Sequence, residues 1–336
     1  MSMRLAAFAS FDPEDRYLRF IKQYGVNELI VGGKADPDVL GRAPIEASDS
    51  PDSHWTFMDL VNLRTRCEAL GLRVAALENP LPPWCYDRAM LGLPGRDQQI
   101  DNLAKTIRNM GRAGIPILGY HWMVNPAGVT RASWRTSLRA PARGGASASQ
   151  LDMELAARAP QSRDRVYSAD EMWSNWTYFI RALAPVAEEA GVKLALHPDD
   201  PPVASLGGVA RIFNSFASFE RAMEVAASPA CGLEFCLGNW WAMGTDVIAA
   251  IRRFGPRGQI HYVHVQGVHG TVPRFQECFL DEADCDFPAV LRALRDVGFD
   301  GVLAPAHVPD TIDDTPRQHQ GHAFAFGYLR GLLQAL

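Results

Sequence analysis

The chain has 336 residues, of which 47% are hydrophobic and 21% charged, with a formal charge of −5. This is the balance of a soluble globular chain with one large domain or two modest ones. It lacks the basic excess that nucleic acid or an acidic membrane surface would attract. No apolar run approaches the roughly 20 residues that span a bilayer, and Met1 to Phe11 has no basic start followed by a long apolar core, so neither a membrane protein nor a secretory signal is expected.

In chain order, short apolar runs predict strands over 5–9, 28–31, 73–77, 116–120, 193–196, 232–235, 260–264 and 302–304. Between them, helical patterns cover 57–70, 97–112, 169–190, 219–227, 246–254, 287–297 and 321–336. Several helices exit through glycine, at Gly71, Gly114, Gly191 and Gly298. Strands alternating with helices predict an α/β protein with parallel pairing. Eight strands fit a closed (β/α)8 TIM barrel, 1–336 as a single domain, better than an open doubly wound sheet. No Gly-x-Gly-x-x-Gly follows the first strand. Two segments break the rhythm. Residues 125–164, rich in Arg, Ala, Ser and Gly, show no clear period and follow the fourth strand, where a lid or insert would cover the active face; residues 35–54 read as a second long loop.

The six cysteines, Cys67, Cys85, Cys231, Cys236, Cys278 and Cys285, form no CxxC pair, and a chain this size needs no staples. Reduced thiols and a cytoplasmic location follow. Cys236 stands apart because of where it falls. In a barrel, chemistry comes from the C-terminal ends of the strands. Those ends read Glu78 after the third, Tyr120 and His121 after the fourth, His197 after the fifth, Cys236 after the sixth, His264 after the seventh and His307 after the eighth. The fifth leads into Leu196-His197-Pro198-Asp199-Asp200-Pro201-Pro202, a loop in which three prolines stiffen the presentation of a histidine and two acids. Two imidazoles and a thiolate from neighbouring strands suit Zn, Fe, Mn or Co. Each alone has a plainer reading: a core histidine, or a small buried hydrophobe for Cys236.

The chain resembles the mannonate dehydratase family of hexuronate degradation, within the xylose-isomerase-like barrels, over nearly its whole length. The likeness rests on Gly92-Leu93-Pro94-Gly95-Arg96-Asp97, on Thr106 through Ile115, on Ala187 through Val192 leading into the His-Pro-Asp-Asp-Pro-Pro loop, and on Leu206-Gly207-Gly208. It also rests on Phe235-Cys236-Leu237-Gly238, the His264 strand, and Phe275-Gln276-Glu277 with Asp281 to Asp284. The resemblance implies a divalent ion, manganese first and Fe, Co or Zn otherwise, held by His197, Cys236 and His264. It also implies loss of water from a sugar acid to give a 2-keto-3-deoxy acid. The departures bear on the substrate. The family pattern ends strand eight with Arg-Pro-Asp-His, whereas this chain has Ala304-Pro305-Ala306-His307, so a metal carboxylate and an anion-binding arginine are gone. Gln266 stands where His-Phe-Arg-Asn has its arginine.

Glu234, two residues before Cys236 and so on the same strand face, is a candidate for the missing carboxylate, as ligand or as base; the plain alternative is a glutamate hydrogen-bonded inside the barrel. His307 is a candidate acid or base. Asp199 and Asp200 either steer His197 and touch hydroxyls or cap their loop, with Asp200 also a catalytic candidate. Glu78, Tyr120 and His121 stand where substrate contacts originate. Glu277, Asp281 and Asp284 read equally well as a solvated acidic loop. Trp122, Trp240 and Trp241 would wall a sugar ring or fill core. The expected partner is a small sugar acid or sugar, with no nucleic acid or membrane, and a homo-oligomer is compatible with the sequence. A sugar isomerase or epimerase of the same barrel group, or a sugar-binding barrel without catalysis, are the rival readings.

Overall fold

A parallel strand covered on both sides buries both sets of its side chains, so it reads as a continuous apolar run rather than an alternating one. Val74 to Leu77 and Val302 to Pro305 are such runs, and every one of these residues is buried. The computed structural model describes residues 3–11, 13–32, 53–80, 86–124 and 134–336.

The elements begin with β1 (Arg4–Ala9), α1 (Asp15–Gln23), β2 (Glu28–Gly32), α2 (Phe57–Ala69), β3 (Arg73–Glu78), α3 (Asp87–Leu91), α4 (Arg96–Ala113) and β4 (Ile117–Tyr120). An insert follows, with β5 (Ser137–Pro141), β6 (Ser147–Asp152) and α5 (Met153–Ala156). Next come α6 (Ala169–Ala190), β7 (Lys193–Leu196), β8 (Ser205–Leu206), β9 (Val209–Ala210), α7 (Phe216–Ala226), β10 (Cys231–Cys236), α8 (Leu237–Ala242) and α9 (Val247–Phe254). The chain closes with β11 (Ile260–Val265), β12 (Gly267–Thr271), β13 (Arg274–Cys278), α10 (Phe287–Asp296), β14 (Val302–Pro305) and α11 (His319–Gln334).

Eight strands close a barrel in the order β1-β14-β11-β10-β7-β4-β3-β2. All eight lie where the apolar runs predicted. Two capping boxes start long helices, Thr56 with Asp59 for α2 and Ser168 with Glu171 for α6, satisfying backbone N–H groups that the first turn leaves open. α4 and α6 end on left-handed Gly114 and Gly191, as expected. The main core lies between barrel and helices. A smaller interior core is built mostly from alanines (Ala6, Ala75, Ala76, Ala195 and Ala304), with Ile30, Val302 and Tyr262 among them.

The insert corrects the sequence reading. Residues 125–133 lie outside the described residues, but 134–164 contain β5, β6 and α5. β6 pairs antiparallel with β13, Leu151 opposite Phe275, giving a four-stranded sheet in the order β12-β13-β6-β5. Its alternation escaped notice because Ser147 to Gln150 are small or polar, so what defines the strand is its partner. Of the second long loop, 35–52 lie outside the described residues.

Candidate metal centre and active site

Four barrel strands finish around one point. β7 runs into His197, β10 ends on Cys236, β11 carries His264 and β3 ends on Glu78. Nδ1 of His197 lies 2.6 Å from the Pro198 carbonyl. A carbonyl only accepts, so Nδ1 carries the proton and Nε2 offers a lone pair to the interior. The donor atoms of His197, Cys236 and His264 lie within 4.8 Å of one another, and so do those of Glu78, Glu234 and His264.

The two sets meet at His264. Its Nε2 is 3.0 Å from Glu78 Oε2 and 3.1 Å from Glu234 Oε1, and Glu234 Oε1 is 3.7 Å from His197 Nε2. Among the described residues, buried His264 Nε2 and Glu234 Oε1 have no hydrogen-bond partner. Leaving such an atom unsatisfied costs about 1–3 kcal/mol, a cost that a group bound between the two would offset. A cation satisfies both, and the donor set fits one.

Local structure supports this placement. The register of β10 against β11 shifts between Leu233 and Glu234, a bulge of the kind that re-aims a side chain beside a site. Tyr262 donates a short hydrogen bond to Glu234 Oε2 and approaches Glu78 Oε2 at 3.3 Å. Gly119 on β4 leaves room for this group: a Cβ there would lie 1.9 Å from the Tyr262 hydroxyl and 2.7 Å from Glu234 Oε2.

Burial and the adjacent Glu78 carboxylate push Glu234 well above the usual carboxylate range. Burial alone would raise Glu78 as well, but the His264 and His197 imidazoles outweigh it and hold it low. Burial, with His264 beside it, brings His197 down to about 4, so it is a neutral donor at pH 7. Burial pushes the Cys236 thiol up. Its Sγ–H donates to Gln266 Oε1 at 3.3 Å, and Sγ accepts from Asn239 Nδ2 at 3.2 Å.

A second cluster adjoins the first through Gln266. Gln266 Nε2 donates to Glu277 Oε1 at 2.9 Å, and the same oxygen accepts from Arg135 Nη2 at 2.6 Å and from His307 Nδ1 at 2.8 Å. Arg135 Nη1 donates to Asp200 Oδ1 at 2.5 Å, with its side chain only 3% exposed. Burial would raise Glu277, but His307 and Arg135 bring it down to about 2. Burial would lower the His307 imidazole; Glu277 outweighs it and lifts it above its ordinary value. His307 has φ 50°, a left-handed conformation uncommon outside glycine, and its side chain is 38% exposed. It is an imidazole anchored at Nδ1 by Glu277 and part-exposed at the barrel mouth.

The predicted residues therefore sort by geometry. His197, Cys236, His264, Glu234 and Glu78 come together, and His307 stands one hydrogen-bond chain away. Asp200 is taken up by Arg135. Asp199 accepts from Phe213 N at 2.6 Å, which is the capping role, and burial lifts it to about 7. His121 accepts from Met123 N at Nδ1 and meets the Tyr86 hydroxyl at Nε2, so neither nitrogen is free; burial, with His197 and Arg211, takes it down to about 3. Tyr120 packs with Phe179 of α6, outside the barrel interior rather than at the mouth. Trp122 and Trp240 fill core against Phe179 and Phe235. Glu277 is not on a solvated loop but buried on β13, while Asp281 pairs with Arg143 and Asp284 with His269. Sequence reasoning missed Arg135, Tyr262 and buried Arg211 altogether.

The model of the D-mannonate dehydratase (UxuA) family matches residues 1–164 and 160–336. The chain belongs to the D-mannonate dehydratase family. It is 30% identical to Mannonate dehydratase 2 of Halalkalibacterium halodurans, over 97% of each chain. The crystal structure of mannonate dehydratase from Streptococcus suis serotype 2 superposes with a TM-score of 0.86 at 27% identity, covering 100% of this chain and 95% of that one. A xylose isomerase domain protein from Planctomyces limnophilus shares the fold at a TM-score of 0.59 and 15% identity, covering 99% and 98%. Within this D-mannonate dehydratase family member, Ala304 is paired in register with His264 and fully buried, so the candidate centre has an apolar neighbour on β14.

Proposed function

We propose that the chain is a metal-dependent hydro-lyase that removes water from a sugar acid and releases a 2-keto-3-deoxy acid. The observation that carries this reading is the meeting of His197, Cys236 and His264 at one cation-sized point in the barrel mouth, with the orphaned Nε2 of His264 facing it. Those three residues would hold a divalent ion. Bound there, it supplies the positive charge that makes loss of a proton next to a carboxylate accessible. Manganese is the ion we favour, ahead of Fe, Co and Zn, because the chain belongs to the D-mannonate dehydratase family; affinity alone does not choose among them.

The chain's own residues carry the remaining work. His197 is fixed by Pro198, so its Nε2 cannot turn away. His307, held at Nδ1 by Glu277, keeps its other nitrogen for the departing hydroxyl and delivers a proton there. Asp200 acts through Arg135, which it shares with Glu277, and so positions rather than transfers. Glu234 stands on the ion's side of the site, next to both imidazoles. Residues 134–164, the described part of the predicted lid or insert, serve as a cover of this mouth. The described part is sewn down by the β6–β13 pairing and by buried Arg135, which supports a cover that ties into the site. A cytoplasmic location fits the free, buried state of Cys67, Cys231, Cys236, Cys278 and Cys285.

The test is turnover of Mn-loaded protein on a panel of aldonates including D-mannonate, read by the periodate–thiobarbiturate colour of a keto-deoxy acid. Colour with at least one aldonate is expected. A product of unchanged mass would point instead to an isomerase, and failure with every aldonate would refute the dehydratase reading.

A further inference from the structure

The resemblance implies an aspartate in the donor set where this chain has Ala306, and the donor atoms gathered at the centre come instead from His197, Cys236, His264, Glu78 and Glu234. We infer that Glu78 and Glu234 are direct ligands of the same ion, so that two carboxylates from β3 and β10 stand in for the missing one. This rests on the proposed function in that it needs an ion at His197 and His264.

The spacing carries the argument. In an octahedral shell with bonds of about 2.1 Å, neighbouring donors lie about 3 Å apart. Glu78 Oε2 and Glu234 Oε1 are 3.0 and 3.1 Å from His264 Nε2, and Glu234 Oε1 is 3.7 Å from His197 Nε2. Glu234 is 1% exposed, and Oε1, the oxygen that faces both imidazoles, is the one without a hydrogen bond. Its other oxygen is tied back by Tyr262, which fixes the direction in which Oε1 points. Cys236 is the contrast: it already has partners in Gln266 and Asn239, so it depends less on an ion than Glu234 does. Two added carboxylates make the donor set harder than one of two imidazoles and a thiolate, which favours Mn²⁺ relative to Zn²⁺.

The experiment is titration of metal-stripped protein with Mn²⁺, read by calorimetry and by the EPR signal of the free aquo ion, on the parent, E78Q, E234Q and H264A. Thermal melts without metal check that each is folded. The parent is expected to take one Mn²⁺ per chain. E78Q and E234Q should each weaken binding at least tenfold and shift preference toward Zn²⁺, and H264A should lose the site. E78Q and E234Q lie on different strands, so misfolding of one leaves the other informative. Co²⁺ absorption of the folded parent adds a readout independent of affinity, with weak bands of five- or six-coordination expected and strong tetrahedral bands contradicting the carboxylate ligands. If both glutamine variants bind Mn²⁺ within twofold of the parent while H264A does not bind, the carboxylate assignment is wrong and the centre itself stands. If the parent binds no Mn²⁺, the centre and the inference fail together.

Discussion

In the proposed role His307 works as an acid only while it is protonated, and the Glu277 carboxylate at its Nδ1 favours that state. The Glu277 charge is itself held by Arg135 and His307, with its value near 2 against an ordinary 4.5. Because the folded value is depressed, this carboxylate contributes stability above about pH 4.5. That contribution is lost as the pH falls from there toward 2. His307 runs the other way. Its folded value is raised, so its contribution is complete below the ordinary histidine value and fades as the pH climbs past it. Removing the charge in Glu277→Gln should therefore move the alkaline limb of the kcat profile to lower pH, because His307 gives up its proton sooner. A profile whose alkaline limb does not move would show that Glu277 has no hold on the catalytic proton.

At the scale of elements, the barrel strands were legible because parallel strands buried on both faces leave unbroken apolar runs, and the long helices because Thr56, Ser168, Gly114 and Gly191 mark their ends. The strand-end rule likewise pointed to His197, Cys236 and His264, whose donor atoms lie within 4.8 Å of one another. It failed at Tyr120, since successive residues on a strand point to opposite faces and this one looks out to α6. The insert was opaque because its pairing partner, β13, lies more than 120 residues further on. Arg135 was hidden for the same reason: its acids, Asp200 and Glu277, are 65 and 142 residues away. On β4, the lack of a side chain at Gly119 is what lets Tyr262 reach Glu234. Gly119→Ala should cost about 1–3 kcal/mol in chemical denaturation, typical of overpacking, and weaken metal binding. An alanine variant of parental stability and Mn²⁺ affinity would show that Tyr262 and Glu234 have slack there.

The whole molecule joins two layers of function. The closed barrel brings β3, β7, β10 and β11 to one centre, and the insert sheet adds Arg135 and Glu277 beside it. Hydrogen bonds run from Cys236 through Gln266 and Glu277 to His307, so candidate centre and candidate acid form one connected body. Anomalous diffraction from crystals soaked in Mn²⁺ reads the claim on which all of this depends. The account predicts a single strong peak within about 2.0–2.6 Å of His197 Nε2 and His264 Nε2. A map with no peak there, or with its only peak away from those two imidazoles, would contradict it.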